Sequence, residues 1–229
     1  MNFPYQLIDL THELDPNMPT WSGGCGFHHE RHMDYADCEG EDKFRVMKVR
    51  MHAGIGTHMD APSHCIERGR CIHDMDVNTL CMPCVVIDVT VKCYERYSLT
   101  LADIHAFENQ YGAIAKSACV MINTGWSRFW NHPRQYRNNH IFPSVSHEAA
   151  LLLLDRGVNA LGIDTLSPDR PEDGFKVHQA FLGADKFLIE NVAHLHKMPA
   201  VGSYIMALPL KIKEGTEAPI RLIGLIAKA

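Results

Sequence analysis

The sequence predicts a mixed α/β fold, with residues 1–229 forming a single domain. Short apolar runs rich in β-branched residues alternate with segments that carry helix-capping residues, and no linker, repeat or low-complexity tract interrupts the chain. A chain of 229 residues can bury about 70–75% of the surface exposed in its unfolded form. We therefore expect a substantial hydrophobic core.

The predicted strands are the runs in which apolar and β-branched residues dominate over four to eight positions. In chain order they are residues 5–10, 44–51, 85–89, 119–123, 160–164, 186–190, 203–208 and 221–226.

Two of the intervening helices are predicted from their first residues. Thr100 and Asp103 form a capping-box pattern ahead of residues 104–111. Ser146 is a suitable N-cap for a helix that contains the apolar run 149–154. The order of strands and helices is that of a mixed α/β protein.

The segment most informative about function is residues 56–64, which read GTHMDAPSH. If the segment is extended, His58 and Asp60 project from the same side, because side chains alternate with period two. Pro62 then turns the chain and lets His64 approach the same point. The pattern favours a metal site with an adjacent base, although a Gly/Pro loop with locally hydrogen-bonded polar side chains is the alternative.

Further candidate ligands occur downstream. His178 lies in a predicted short helix, and Glu190 ends the apolar strand run 187–189. A helix followed by a strand can fold back and bring these two side chains together. A buried glutamate also needs a positive partner, which a cation would supply.

Residues 56–64 resemble the diagnostic stretch of the bacterial kynurenine formamidase and cyclase family of metal-dependent amide hydrolases, which includes isatin hydrolases. Further blocks are similar to that family in the expected order: residues 8–14, 18–21, 123–127, 162–167, 189–192 and 207–211. The resemblance implies a β/β/α layered fold of the swivelling type, in a homodimer.

The resemblance also implies roles for individual residues. His58, Asp60, His178 and Glu190 would bind one or two divalent ions, with zinc favoured and manganese the other candidate. Asp60 could bridge two ions. His64 would be the catalytic proton carrier.

One position departs from the family pattern. The family usually has a metal-binding histidine where this chain has Gly54, and the nearest histidine here is His52. Three explanations stay open: His52 reaches the metal, water replaces the lost ligand, or only one ion is held.

The function that follows is hydrolysis of an aryl formamide such as N-formylkynurenine. A cyclic amide such as isatin is an alternative substrate, and a non-catalytic metal-binding relative is a second alternative. Trp21 is predicted to form an aromatic wall for the substrate.

Charge and hydropathy argue against other partners. The formal net charge is -5, without a block of like charges, which argues against nucleic acid or an anionic membrane. No apolar run approaches the length of about 20 residues that spans a bilayer, and the N-terminal residues lack a signal-peptide pattern. The expected location is the cytoplasm.

Two further motifs are weighed and set aside. Cys81 and Cys84 have the spacing of a redox pair, but the eight cysteines are expected to be reduced and this pair directly precedes a predicted strand. Residues 28–32, which read HHERH, have a glutamate at the wrong offset for a zinc protease. A polar loop is expected there.

Overall fold

A computed structural model describes residues 3–228. The strands are β1 (Tyr5–Asp9), β2 (Phe27–Met33), β3 (Val46–Met51), β4 (His58–Asp60), β5 (Cys81–Asp88), β6 (Ser98–Leu99), β7 (Cys119–Asn123), β8 (Ser144–Val145), β9 (Ala160–Ile163), β10 (Phe187–Glu190), β11 (Ser203–Pro209) and β12 (Glu217–Ala227). The α-helices are α1 (Leu101–Tyr111), α2 (Pro133–Arg137), α3 (His147–Asp155) and α4 (Lys176–Gly183).

The main sheet is closed into a barrel. Its strand order is β1-β12-β11-β5-β7-β9-β10-β4, and β4 also pairs with β12, so seven strands form a ring and β1 adds to its outside edge. Strands β5, β7, β9 and β10 are mutually parallel, and the remaining pairings are antiparallel. The mixed α/β prediction is confirmed, whereas the layered β/β/α description is wrong.

The length of β12 explains the closure. Its first residues, Glu217 to Pro219, pair with β4, and the residues from Ile220 onward pair with β11. One long strand therefore joins both ends of a sheet that would otherwise stay open. The local sequence of β12 does not predict that β4 and then β1 pair along one of its edges while β11 pairs along the other.

Alternation along the strands builds two cores. In β5, Met82, Cys84 and Val86 belong to the core inside the barrel. Val85 and Ile87 point outward and pack under the helices. This is the expected result for strands with a period of two and buried faces on both sides.

Most predicted elements occur where the sequence placed them. The capping box of Thr100 and Asp103 begins α1, and Ser146 caps α3. The expected polar loop over residues 28–32 is instead part of β2, which forms a two-stranded sheet with β3. Backbone pairing with a neighbouring strand overrides the polar composition there.

Two cysteines interpreted as a possible redox pair lie on opposite faces of β5. Cys81 is exposed, whereas Cys84 is 1% exposed, because residues three apart on a strand point to opposite sides. Burial raises the pKa of Cys84 to about 12, so its reactive thiolate form is disfavoured. The geometry does not support thiol exchange here.

No helix within residues 3–228 combines the length and apolarity that crossing a bilayer requires.

Candidate metal centre

The barrel wall places three polar side chains on one face. Strands β4 and β10 are antiparallel, and Glu190 lies directly opposite His58 in their register. Asp60 lies two residues from His58 and so shares its face. The alternate residues Met59 and Ile189 point into the barrel core. His58, Asp60 and Glu190 therefore project outward, toward helix α4.

Helix α4 delivers the second histidine. Val177 and Phe181 pack on the outer face of the barrel, and His178 is carried to the same face. Asp169 accepts hydrogen bonds from the backbone N–H groups of Val177 (3.0 Å) and His178 (2.9 Å), which are orphan donors of the first helical turn. The start of the helix is thereby tied to the site.

The histidines and carboxylates interleave. His58 Nε2 lies 3.4 Å from Asp60 Oδ1 and 3.4 Å from Glu190 Oε2. His178 Nε2 lies 3.7 Å from Asp60 Oδ2 and 3.4 Å from Glu190 Oε1. Each carboxylate therefore presents one oxygen to each histidine. Bonds of about 2.0–2.2 Å to a shared cation set neighbouring ligand atoms roughly 3.0–3.6 Å apart, so the spacing fits metal coordination.

Hydrogen bonds set the tautomer of both histidines. His58 Nδ1 is 2.9 Å from the carbonyl oxygen of Gly56, and His178 Nδ1 is 2.7 Å from Asp169 Oδ2. Both partners only accept, so each Nδ1 carries the proton and donates it. The Nε2 lone pairs are left facing the carboxylates. Metal-binding histidines are typically held in this way.

Buried charge gives independent support for a cation. Asp60 is 1% exposed and Glu190 is 6% exposed. Within residues 3–228, both Asp60 oxygens and Glu190 Oε1 lack a hydrogen-bond partner. Buried carboxylates in that state are costly unless a positive charge receives them. The residues present therefore fit a bound divalent metal.

The histidine pKa values respond to the same carboxylates. Burial by itself would lower the pKa of His58, but attraction by Asp60 and Glu190 raises it well above 6.5. Burial likewise opposes protonation of His178, and contacts with Asp169, Asp60 and Glu190 raise its pKa well above 6.5. In the metal-free protein, the two histidines therefore hold protons at the nitrogen atoms that would otherwise bind a cation. A cation and these protons compete for the same atoms.

A pH dependence of metal-free stability follows from these raised pKa values. The protonated histidines stabilise the folded state fully below the unfolded pKa of about 6.5, and this contribution is lost as the pH rises through the folded pKa values. We expect the melting temperature of chelator-treated protein to fall as the pH rises above about 6.5. Thermal melts with and without added Zn²⁺ or Mn²⁺ measure this. A flat profile for the metal-free protein contradicts the electrostatic picture of the cluster.

His64 lies beside the cluster. It ends the short 3₁₀ turn Pro62–His64, and its ring centre is 5.9 Å from that of His178. Its Nδ1 is 3.4 Å from Glu217 Oε2. Glu217 raises the pKa of His64, while burial and His178 oppose that effect. The structure therefore places a half-buried imidazole next to the predicted ligands.

A cavity of about 450 Å³ opens onto these residues. All four predicted ligands and His64 line it. Its apolar lining residues include Trp21, Ile55, Leu166 and Phe175. Trp21 is 37% exposed and stacks on His140 with ring centres 4.1 Å apart. Its predicted position at a substrate wall is compatible with this location.

His52, the predicted replacement ligand, is placed elsewhere. It follows the end of β3, its backbone N–H donates to the carbonyl of Gly26 (2.9 Å), and its side chain is exposed. It is not among the residues that line the cavity. The structure therefore does not bring His52 together with the other predicted ligands.

Two residues that sequence reasoning missed contact the site. Asp169 holds His178, and Glu217 faces His64. Asp169 lies too far before α4 to match an N-cap spacing. Glu217 follows a loop at the start of β12, far along the chain from residues 56–64. No local motif could have identified either residue.

Asp169 is expected to tune metal affinity through His178. Replacing it by asparagine removes a charged acceptor from His178 Nδ1, and loss of such a partner typically costs about 10–100-fold in metal affinity. Titration calorimetry of Asp169→Asn with Zn²⁺ or Mn²⁺ measures the effect. Asp173→Asn is the matched control, because Asp173 pairs with Arg170 away from the cluster. Equal affinities in the two variants contradict the assignment.

The fold and the cluster define a class of protein: a mixed α/β barrel whose wall carries a histidine–carboxylate centre of the metal-binding type. The Cyclase family model matches residues 8–170, so the chain belongs to the Cyclase family. An isatin hydrolase from Roseibium aggregatum is 30% identical over 190 residues, covering 76% of this chain and 72% of that protein. A kynurenine formamidase from Bacillus cytotoxicus is 27% identical and covers 94% of this chain and 95% of its own.

Solved structures agree with this membership. Isatin hydrolase A from Ralstonia solanacearum superimposes with a TM-score of 0.89 at 27% identity, covering 97% of this chain and 92% of that one. An isatin hydrolase bound to the product analogue thioisatinate has a TM-score of 0.87 at 25% identity, covering 98% and 94%. At the level of the family, the protein is therefore a hydrolase. The family resemblance seen in the sequence is confirmed.

Proposed function

We propose that this protein is a metal-dependent amide hydrolase that acts on an aryl formamide such as N-formylkynurenine. One observation carries the proposal: two histidines present Nε2 to two buried carboxylates at the edge of a cavity, and within residues 3–228 both Asp60 oxygens and Glu190 Oε1 lack a hydrogen-bond partner. The kynurenine formamidase and isatin hydrolase relatives support the amide class.

The four ligands would be His58, Asp60, His178 and Glu190. A divalent cation bound there supplies Lewis acidity: it polarises a carbonyl oxygen and lowers the pKa of water toward about 7. The chain's own part is to hold these ligands in a fixed tautomer and geometry. The buried carboxylates also keep positive charge at this one place in the cavity.

His64 is proposed as the proton carrier. Its Nδ1 faces Glu217, so Nε2 is the nitrogen free to accept a proton from the attacking water. The same Nε2 then returns the proton to the departing amide nitrogen, which leaves as an amine while the acyl group leaves as a carboxylate. An imidazole suits this two-way transfer, because its pKa lies near the working pH.

The cavity supports an aryl substrate. Its volume of about 450 Å³ lies within the range of roughly 300–1,000 Å³ typical of small-molecule sites. Trp21 and Phe175, with ring centres 6.0 Å apart, provide flat apolar surface in the same cavity, and the Phe175 ring lies 5.8 Å from that of His178. An aromatic ring packed there would place its amide carbonyl near the predicted ligands.

A cyclic aryl amide such as isatin is the second candidate. The likeness to solved isatin hydrolases extends over nearly the whole chain and favours it. Ring opening requires the same attack on an amide carbonyl and the same return of a proton to nitrogen. The two candidates differ only in whether the acyl group stays attached to the aryl ring.

An activity screen tests the proposal. Purified, chelator-treated protein is given Zn²⁺ or Mn²⁺ separately and assayed on N-formylkynurenine, isatin and simple lactams. We expect metal-dependent turnover of an aryl amide. Comparison of the rates across these assays identifies the preferred substrate and the preferred metal. Metal binding without turnover of any amide contradicts the proposal and favours the non-catalytic alternative.

The homodimer also stays a prediction. Light scattering coupled to size-exclusion chromatography measures the molar mass in solution and so tests it.

A further inference from the structure

We propose that Glu217 is a metal ligand and that it forms a second cation position together with His58 and Asp60. This inference rests on the proposed function only in taking the cluster to bind a cation. Two groups of possible ligands share Asp60: His58, Asp60 and Glu190 in one, and Asp60, His64 and Glu217 in the other. In each group the ligand atoms lie within 4.8 Å of one another.

The space beside Gly54 shows where the Glu217 carboxylate points. A Cβ atom placed on Gly54 would overlap Glu217 Oε1 and would lie 3.4 Å from His58 Nε2. Glu217 Oε1 and His58 Nε2 therefore border the same small volume. Gly54 keeps that volume open, and any side chain at position 54 would compete with the carboxylate for it. The carboxylate comes from β12, which pairs with β4 through Glu217 and Asp60.

The two oxygens of Glu217 have different surroundings. Oε2 accepts from the Thr216 hydroxyl (3.1 Å) and lies 3.4 Å from His64 Nδ1. Oε1 is the oxygen that faces Gly54 and His58. The two oxygens of Asp60 also have different neighbours, because Oδ1 lies nearer His58 and Oδ2 lies nearer His178. Asp60 would then be shared between a cation position that includes Glu217 and one that includes Glu190, and His58 Nε2 borders both.

Charge balance favours two cations over one. Asp60, Glu190 and Glu217 all line the cavity, and the residues described as lining it include neither lysine nor arginine. A single divalent cation balances two carboxylates and leaves the third, Glu217, balanced only when His64, 3.4 Å away, is protonated. A second cation beside Glu217 would balance its charge in either protonation state of His64.

Glu217 thus offers a fourth explanation for the glycine at position 54. The histidine that the family usually places there is absent, and a carboxylate from a different strand reaches the same space. Imidazole and carboxylate are both ligands of zinc and manganese. The substitution would change the charge of the second position without removing a ligand.

Metal counting tests this inference without any substrate. Wild-type protein, Glu217→Gln and the control Glu214→Gln are stripped with chelator and titrated with Mn²⁺ or Zn²⁺ in a calorimeter, and bound metal is measured by elemental analysis. We expect two ions per chain in the wild type and in the exposed-loop control. We expect one ion in Glu217→Gln, or a second ion weakened at least about tenfold. Glutamine preserves the volume, so folding should be unaffected.

A second pair of variants probes the space instead of the charge. Gly54→Ala changes none of the ligand residues, but its Cβ atom should displace the Glu217 carboxylate. The variant should therefore reproduce the loss of the second ion. Gly54→His combined with Glu217→Ala should restore two ions. A single ion in the wild type, or an unchanged count and affinity in Glu217→Gln, overturns the inference. Failure of the protein to hydrolyse any amide leaves these counts unaffected, so the two failures are distinguishable.

Discussion

Asp60→Asn is expected to abolish cation binding. Asp60 contacts both histidines, through Oδ1 and Oδ2, and is the only carboxylate shared by the two ligand groups among residues 3–228. Loss of an outer hydrogen-bond partner costs about 10–100-fold in metal affinity. Removing the charge of Asp60 should weaken cation binding by more than that. Titration calorimetry and elemental analysis measure the loss, and hydrolysis should disappear with the metal.

Stability separates this effect from unfolding. Asparagine has nearly the same volume as aspartate, and it removes a buried negative charge from a cluster that already contains Glu190. The metal-free variant should therefore melt near the wild-type temperature once the pH is high enough for the histidines of the metal-free protein to lose their protons. Added metal should raise the melting temperature of the wild type only. Unchanged metal content in Asp60→Asn would remove Asp60 from the site.

His64→Ala is expected to lower turnover by about 100-fold or more while metal content stays near the wild-type level. His64 borders the cavity but is not one of the four ligands proposed above, which are His58, Asp60, His178 and Glu190. Its removal should therefore affect proton transfer without emptying the centre. Steady-state kinetics and elemental analysis of the same preparation give both quantities.

Rescue and pH profiles make the His64 assignment specific. Added imidazole should restore part of the activity of His64→Ala, because the vacated space opens to the cavity. The acidic limb of the pH–rate profile should also change when the imidazole is removed. His147→Ala, on the first turn of α3 and outside the cavity lining, is the control. A metal-replete His64→Ala enzyme with wild-type turnover excludes the proton-transfer role.

Sequence reasoning succeeded where side-chain direction depends on one element. His58 and Asp60 share a face because strand residues alternate, and Met59 between them enters the barrel core. Thr100 and Ser146 begin helices because their side chains accept from backbone N–H groups of the first turn. The same local logic placed His178 on a short helix and Glu190 at the end of a buried strand.

It failed where the answer depends on contacts between distant segments. The layered fold was wrong because β12 pairs with β4 and closes the ring. His52 does not line the cavity, because it follows a strand that pairs in a hairpin with β2. Asp169 was missed because its role depends on the approach of α4 to the barrel.

The sequence by itself determined which side chains are candidate ligands, the strand face shared by His58 and Asp60, and the family to which the chain belongs. The tertiary structure alone decided which carboxylates meet them, namely Asp169 behind His178 and Glu217 beside Gly54. The physical reason is that backbone periodicity sets direction within a single element. Distances between elements are instead set by strand pairing and packing across the whole chain.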